Sequence, residues 1–255
     1  FANASEDNFF GKFGTEEPRT DRVDHKNVHG ILMPPAVALN SSGYAAVWAH
    51  ENTRASIFDA MRRKETYATT GPRIVLRFFG GWAFDPNDVL RPDYVAIGYT
   101  QGVPMGADLI NAPRGESPDF LIVASKDPKG ANLDRIQVVK GWLDQNGELQ
   151  EKVYDVTLSD GRKVQRNGKV KPLKHTVDIE TASYKNTIGD TELATVWSDP
   201  DFNPAERAFY YVRVLEIPTP RWSTYDSVYF KKALPQAVPA IIQERAYSSP
   251  IWYTP

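Results

Sequence analysis

Three polar residues stand where a predicted helix begins: Glu51, Asn52 and Arg54. The unpaired N–H groups of a first helical turn attract phosphate or carboxylate, and an arginine can add a charge-assisted hydrogen bond. The same residues also have a structural interpretation, in which Asn52 caps the helix while Glu51 and Arg54 pair with neighbours. The two interpretations are about equally supported by the sequence.

Three hydroxyl groups follow in the next predicted strand, on Tyr67, Thr69 and Thr70. They approach the end of that strand and could point to the same side as the helix N-terminus. A position within a strand, with each hydroxyl bonded to backbone, is the somewhat better supported interpretation. The functional alternative keeps these residues as candidate substrate ligands.

The chain has four histidines and no cysteine. His25 and His29 have a spacing that suits a metal site on a helix, but their neighbours do not form an amphipathic helix, which favours a pair of exposed loop residues. His50 and His175 stand alone among residues that are not metal ligands, so a structural or exposed position is predicted for each. The sequence gives no metal ligands that we would assign.

A short amphipathic helix positions the first candidate residues. Asn52 or Thr53 can cap it, and it ends before Gly71-Pro72. Ser56, Asp59, Arg62 and Arg63 are predicted to face solvent. The apolar face, which we expect to be buried, is formed by Ile57, Phe58 and Met61.

The remainder of the chain has the pattern of a β protein. Arg73–Phe79 alternates like a strand that bends at Gly80-Gly81. From residue 93 onward, short runs rich in β-formers recur between turn signals, which predicts an antiparallel sandwich. Asn146-Gly147 predicts a tight hairpin turn. The predicted strands are YVAIGY, DFLIVASK, RIQVVKGWL, EKVYDVTL, HTVDIE, TELATVW, AFYYVRVLEI and PAIIQERAY.

An aromatic-rich stretch at positions 209–230 has two interpretations. Its Trp, Tyr and Phe side chains could form a platform on which a sugar ring stacks. A core strand followed by a packed loop is the more frequent meaning of such a stretch.

Composition excludes several classes of partner. A net charge of −2 over 255 residues gives no reason to expect nucleic acid or an anionic membrane surface. No apolar run is long enough to span a bilayer. Without cysteine there is no disulfide, which fits either the cytoplasm or a bacterial periplasm.

Many separate stretches together resemble the DUF3604 family, relatives of the PHP-type metal-dependent phosphoesterases. The resemblance covers nearly the whole chain and is more specific than any one short motif. It rests on Asp7-Asn8-Phe9-Phe10-Gly11-Lys12, Glu51-Asn52-Thr53-Arg54, 64–73 (KETYATTGPR), 102–106 (GVPMG), 132–136 (NLDRI), 217–222 (IPTPRW) and 248–252 (SSPIW).

The resemblance implies an α+β fold. Residues 1–92 would be the C-terminal portion of a PHP-like α/β barrel, contributing its last helix and strand after a long irregular loop. Residues 93–255 would form an antiparallel β-sandwich. The family's metal-binding elements, an early His-x-His and a late Ser-Asp-Thr-His-like run, are not found in this sequence, so the main ligands are expected upstream of it.

The same resemblance implies a metal-dependent hydrolase that cleaves esters or phosphoesters with metal-activated water. Zn, Mn or Fe would serve in the intact protein, while this chain alone is predicted to be inactive. Arg54 and Lys12 would offset transition-state charge, with Asp7 and Asn8 within reach of the site. The alternative is a non-catalytic β-sandwich binding or structural module.

The expected partners are a small-molecule substrate and either the upstream segment of the same protein or a second copy of the chain. The family's many exported members favour a periplasmic or secreted location, with the cytoplasm as the alternative.

Overall fold

The structure, a computed structural model, describes residues 19–23, 37, 43–165, 170–236 and 238–255. The helices among these residues are α1 (Arg54–Arg62), α2 (Tyr94–Gln101) and α3 (Trp222–Phe230), with 3-10 turns at Thr20–Val23 and Asp88–Leu90. The strands are β1 (Tyr44–Val47), β2 (Thr66–Thr69), β3 (Val75–Gly81), β4 (Gly102–Pro104), β5 (Asp108–Leu109), β6 (Asp119–Ser125), β7 (Leu133–Leu143), β8 (Leu149–Leu158), β9 (Glu192–Ser198), β10 (Ala208–Glu216), β11 (Thr219–Pro220), β12 (Ile241–Ile242), β13 (Arg245–Ser248) and β14 (Ile251–Tyr253).

Strand β10 is the centre of the larger, eight-stranded sheet. One of its edges pairs with β7, which continues to β8. Its other edge pairs first with β14 and then with β13, and β13 continues to β2 and β1. These pairs are antiparallel, and among the described strands of this sheet the short β14–β5 pair at the margin is the parallel one.

The smaller sheet has the order β4-β3-β6-β9 and is antiparallel throughout. Its inner side chains meet those of the larger sheet in one apolar core. Phe120 on β6 is fully buried, and its ring centroid lies 4.6 Å from that of Tyr210 on β10 and 5.5 Å from that of Phe78 on β3. The antiparallel sandwich predicted from the sequence is therefore supported.

The hairpin between β7 and β8 forms where the sequence predicts it. Gly147 has a positive φ of 79°, which glycine adopts without a steric penalty. The Asp144 carboxylate accepts backbone hydrogen bonds of 2.9 Å from both Asn146 and Glu148. The turn is thus closed by a side chain as well as by the glycine.

Helix α1 begins where the sequence predicts, but its apolar face is not buried by the described residues. Thr53 is the N-cap and accepts from the Ser56 amide. Phe58 and Met61 are 61% and 53% exposed, while Ala60 is the buried member of the helix. The prediction of a buried face is wrong for this part of the chain, and an upstream segment or a second copy as its cover stays a prediction.

Three other segments differ from the sequence prediction. The run YVAIGY is helix α2, because Gly98 lets the helix lie directly on the Phe79 ring: an added Cβ would be 2.6 Å from that ring. The run HTVDIE forms only an isolated bridge, between Asp178 and Ser183. Helix α3 was not predicted at all.

The first three strands of the chain belong to the two sheets. β1 and β2 extend the larger sheet through β13, and β3 pairs with β6. The described residues therefore give a mostly β, or α+β, fold and form no α/β barrel. None of the helices in the described ranges combines the length and the apolar character that crossing a bilayer requires.

Candidate functional site

A cavity of about 380 Å³ lies beside the end of β10, where segments from distant parts of the chain meet. Two of them are among the stretches singled out in the sequence, namely residues 70–73 and residues 219–222. The lining residues used below are Tyr44, Thr70, Arg73, Asp127, Lys129, Gly130, Tyr184, Glu216, Trp222, Tyr225 and Glu244.

Glu216 is the most unusual side chain of this cavity. It is only 2% exposed, and within the described part of the chain its Oε1 atom has no hydrogen-bond partner. Its backbone N–H donates to the Glu244 carbonyl at 2.9 Å, beside an irregularity in the β10–β7 register. Burial, followed by the negative charges of Glu244 and Asp127, raises the pKa of Glu216 to about 9. Glu216 is therefore a neutral carboxylic acid at physiological pH.

Glu244 is a partly buried acid of the cavity, and desolvation raises its pKa as well. The Thr70 hydroxyl donates a short hydrogen bond to Oε2 of Glu244 and accepts one from the Arg245 backbone N–H at 2.9 Å. The threonine side chain therefore connects the end of β2 to the segment that carries Glu244. This hydrogen bond opposes the effect of burial, since it stabilises the charged form.

The loop at 126–131 forms another wall. Oxygens of Asp127 accept backbone hydrogen bonds from Arg73 at 2.7 Å and from Lys129 at 2.9 Å. The Lys126 ammonium donates to the carbonyls of Asp127 at 3.0 Å and Gly130 at 2.9 Å. The loop is thus fixed by its own first two side chains.

Close packing brings this loop against the buried acid. A Cβ built on Gly130 would lie 3.3 Å from Glu216 Oε1 and 2.9 Å from the Asp127 Cβ. A larger residue at position 130 would therefore crowd the acid whose oxygen lacks a partner.

The remaining wall is aromatic and comes mainly from α3. Burial raises the pKa of Tyr225 to about 12 and also raises that of Tyr184. Arg221, just before the helix, is 4% exposed and donates to the Val37 carbonyl and the Ser223 hydroxyl, both at 2.8 Å. Its guanidinium lies 5.1 Å from the Trp222 ring centre, a cation–π distance that orients the tryptophan.

Asn132 ties the cavity walls together. Its carbonyl accepts from the Ile217 N–H at 2.8 Å, next to Glu216. Its side-chain amide donates to the carbonyls of Ile188 at 3.0 Å and Gly189 at 3.2 Å. Asn132 therefore connects the residue after β10, through its backbone carbonyl, to the loop that follows Tyr184, through its side chain.

A family model described as "Protein of unknown function (DUF3604)" matches residues 1–255. The chain belongs to the DUF3604 family. No curated protein and no solved structure matches it. The resemblance read from the sequence motifs is thus confirmed at the level of the family, and the relation to PHP-type hydrolases stays a prediction.

Of the predicted site residues that the structure describes, Thr70 is the one that lines the cavity of this DUF3604 chain. Glu51, Asn52 and Arg54 are exposed at the start of α1 and are not among the lining residues. The Glu51 N–H donates to the Ser56 hydroxyl at 3.2 Å.

The other two predicted hydroxyls have structural surroundings. Thr69 is buried, and its Oγ1 accepts from the Gly71 N–H at 3.4 Å. The Tyr67 ring centre lies 6.2 Å from that of Trp48, and burial raises the pKa of its phenol. Both lie outside the cavity, because alternation along β2 points them away from the position of Thr70.

Several predicted residues cannot be placed. Lys12, Asp7 and Asn8, and the histidines His25 and His29, lie outside the described residues. His50 and His175 are both exposed. Across the described ranges, no group of three or more His, Asp or Glu side chains is arranged to hold a metal ion.

Glu216 was not predicted as a site residue, although the sequence contains a signal for it. Alternate residues of β10 are buried from Ala208 to Glu216, which completes a row of otherwise mostly apolar side chains. A carboxyl group at the end of the inward-facing row of a strand predicts a buried acid. Glu244 and Asp127 carry no comparable signal, since they lie between strands.

A second buried polar cluster serves as a contrast. Asp199 accepts from the Lys140 ammonium at 2.6 Å and from the Tyr210 hydroxyl at 2.7 Å. The ammonium also donates to the Asp201 carbonyl at 2.8 Å. The buried charges of this cluster are paired with each other, whereas Glu216 keeps an oxygen without a described partner beside a cavity.

Proposed function

We propose that this chain is part of a hydrolase that cleaves esters or phosphoesters, and that the cavity beside β10 binds the substrate. The observation that carries the proposal is Glu216, a buried and protonated acid whose Oε1 atom has no partner among the described residues. Perturbed carboxyl groups in concave sites are typical of proton-transfer catalysts.

Glu216 is proposed to donate a proton to the leaving alcohol. Ester cleavage breaks the bond between the acyl or phosphoryl centre and the alcohol oxygen, and the departing alkoxide needs a proton. A carboxylic acid that is neutral near pH 7 can supply this proton and becomes a carboxylate itself. Glu244 and Asp127 favour the protonated form before the reaction, because each adds negative charge nearby.

The cavity also offers groups that could bind the rest of the substrate. Arg73 and Lys129 bring positive charge to a lining otherwise rich in acids. Tyr44, Trp222 and Tyr225 give it an aromatic wall against which an apolar part of the substrate can pack.

Metal chemistry in this proposal is assigned to residues beyond the described part of the chain. The described His, Asp and Glu side chains do not by themselves fit a metal site. A bound Zn, Mn or Fe ion would supply an activated water. The steps assigned to this chain are substrate binding and proton donation.

The 255-residue chain with added Mn²⁺ or Zn²⁺ should not hydrolyse bis(para-nitrophenyl) phosphate. Activity of the protein that includes upstream residues, under the same conditions, is the expected positive result. Turnover by the 255-residue chain alone would show that our assignment of the principal ligands to upstream residues is wrong.

The variant Glu216→Gln tests the proton donor, using two leaving groups in the active protein. Loss of kcat/KM should be about 10²- to 10⁴-fold for an ester of a simple alkyl alcohol. It should be small for the para-nitrophenyl ester, because para-nitrophenolate leaves without a proton. The pH profile of kcat/KM for the alkyl ester should fall above about pH 9 in the wild type.

Glu148→Gln, at the exposed tip of the β7–β8 hairpin, is the matched control and should leave both rates unchanged. Equal losses on the two substrates would mean that Glu216 shapes the cavity without donating a proton. Unchanged activity of Glu216→Gln on both would refute the site itself.

A further inference from the structure

A second concave surface lies on the outer face of the larger sheet, away from the core. It is a groove of about 560 Å³ bordered by β7, β8, β10 and β14. Phe209 and Trp252 form its floor, with ring centroids 5.3 Å apart and the ring planes tilted by 50°. They are directly opposite each other in the β10–β14 register, so they project from the same face.

The backbone is built so that the Phe209 ring can lie flat on the sheet. Phe209 pairs with Gly141 on β7, and a Cβ at position 141 would be 2.3 Å from the ring. No side chain fits there without displacing the phenylalanine. Trp252 beside it is 43% exposed, although its neighbours Ile251 and Tyr253 on β14 are buried.

Polar groups of both signs border this aromatic floor. Glu151 pairs with Gly141 on the other edge of β7, and Arg207 precedes β10. Both are exposed, and neither side chain forms a hydrogen bond or an ion pair with another described residue. Their charges balance, so the groove attracts neither anions nor cations strongly.

We propose that this groove binds a neutral glycan, with one pyranose ring stacked on Trp252 and Phe209. A pyranose has an apolar face of C–H groups and an edge of hydroxyl groups, which matches an aromatic floor with a polar border. Glu151 can accept from a sugar hydroxyl, and Arg207 can donate to one. Charge neutrality favours an uncharged polysaccharide over an acidic one.

This inference is independent of the proposed hydrolase. The groove and the cavity share no lining residue. Of the aromatic-rich stretch at 209–230, Phe209 belongs to the groove, while Trp222 and Tyr225 belong to the cavity. Of the stretch that the sequence suggested as a glycan platform, only Phe209 lies in the groove among the described residues. Trp252, from outside that stretch, completes the aromatic floor.

Affinity gel electrophoresis tests the groove with soluble neutral polysaccharides: mixed-linkage β-glucan, galactomannan, arabinoxylan and soluble starch. The chain should be retarded by at least one of them. Trp252→Ala should weaken the apparent affinity by at least about tenfold, since a stacked aromatic anchor carries much of such binding. Tyr229→Ala removes an aromatic residue that is 78% exposed on α3 and should leave retardation unchanged.

Circular dichroism of both variants checks that folding is preserved. Three results would overturn the proposal: no retardation in any of the four gels, equal retardation of the Trp252→Ala variant, or equal weakening by Tyr229→Ala. Sedimentation that shows a dimer dissociated by Trp252→Ala would overturn it too, because the face would then be an interface between two copies.

Discussion

Glu216 makes the stability of the protein depend on pH in a predictable direction. Its pKa in the folded protein is about 9, against an ordinary value of 4.5, so the folded state holds this proton more tightly than the unfolded state. The corresponding stabilisation is complete below about pH 4.5 and is lost as the pH rises through the folded-state pKa of about 9.

Urea unfolding of wild type and Glu216→Gln at pH 5, 7 and 9 measures this effect. Glutamine has no carboxyl proton to lose, so the variant should gain stability relative to wild type as the pH rises. With pKa values of 4.5 unfolded and about 9 folded, linkage gives a relative gain on the order of 5 kcal/mol between pH 5 and pH 9. A constant difference across this range would mean that Glu216 is not buried as a neutral acid.

At the same scale, the sequence singles out Thr70, which lines the cavity, but none of the acids Asp127, Glu216 and Glu244 that line it too. Thr70 could be identified from the sequence because it follows a recognisable helix and strand. Glu244 is brought to it by a hydrogen bond between residues 174 positions apart. No local sequence pattern predicts that Thr70 and Glu244 are close, because their contact depends on β13 pairing with β2.

Among the elements, strands with simple alternation or long apolar runs were predictable, and packing decided the exceptions. β6, β7, β8, β9 and β10 lie where the sequence indicates them. The run YVAIGY has β-forming residues, yet contact with Phe79 selects a helix there. Helix α3 has no clear apolar stripe, so its sequence gives no helical period to detect.

Helix α1 shows how periodicity can mislead about burial. Two substitutions, one on the exposed face of α1 and one in the core, test whether this face is covered. Phe58→Ala should reduce the free energy of unfolding by less than about 1 kcal/mol, because the side chain is 61% exposed. Phe120→Ala removes a fully buried ring and should cost about 3 to 5 kcal/mol.

Both variants can be compared by urea unfolding at two protein concentrations. A loss at Phe58 as large as that at Phe120 would contradict an exposed α1 face. If that loss also grew with protein concentration, a second copy would be the cover in solution.

For the molecule as a whole, the sandwich is the feature that the sequence predicts best. The meeting of distant segments at the cavity is the feature that it predicts least. The cavity combines residues from the N-terminal side of β1, the 127–131 loop and the start of α3. Each segment reads locally as a turn or a loop. Their meeting point is fixed by the strand order, with β13 placed between β2 and β10.

Strand β10 has neighbours along both edges, and this has a consequence for motion. At the point where β14 ends and β13 begins, the Val212 N–H donates to the Ser248 hydroxyl at 2.9 Å, so the gap in the ladder is closed. Backbone amides enclosed in this way exchange with solvent only when the whole sheet opens.

In native-state hydrogen–deuterium exchange, the amides of residues 211–214 should be among the slowest to exchange, while those of β1, at the sheet margin, should exchange earlier. Comparable rates in the two strands would contradict this. If β10 is slow, the proposed proton donor at its end lies on one of the least mobile described strands, and the substrate would have to adapt to Glu216, because the acid would not move to the substrate.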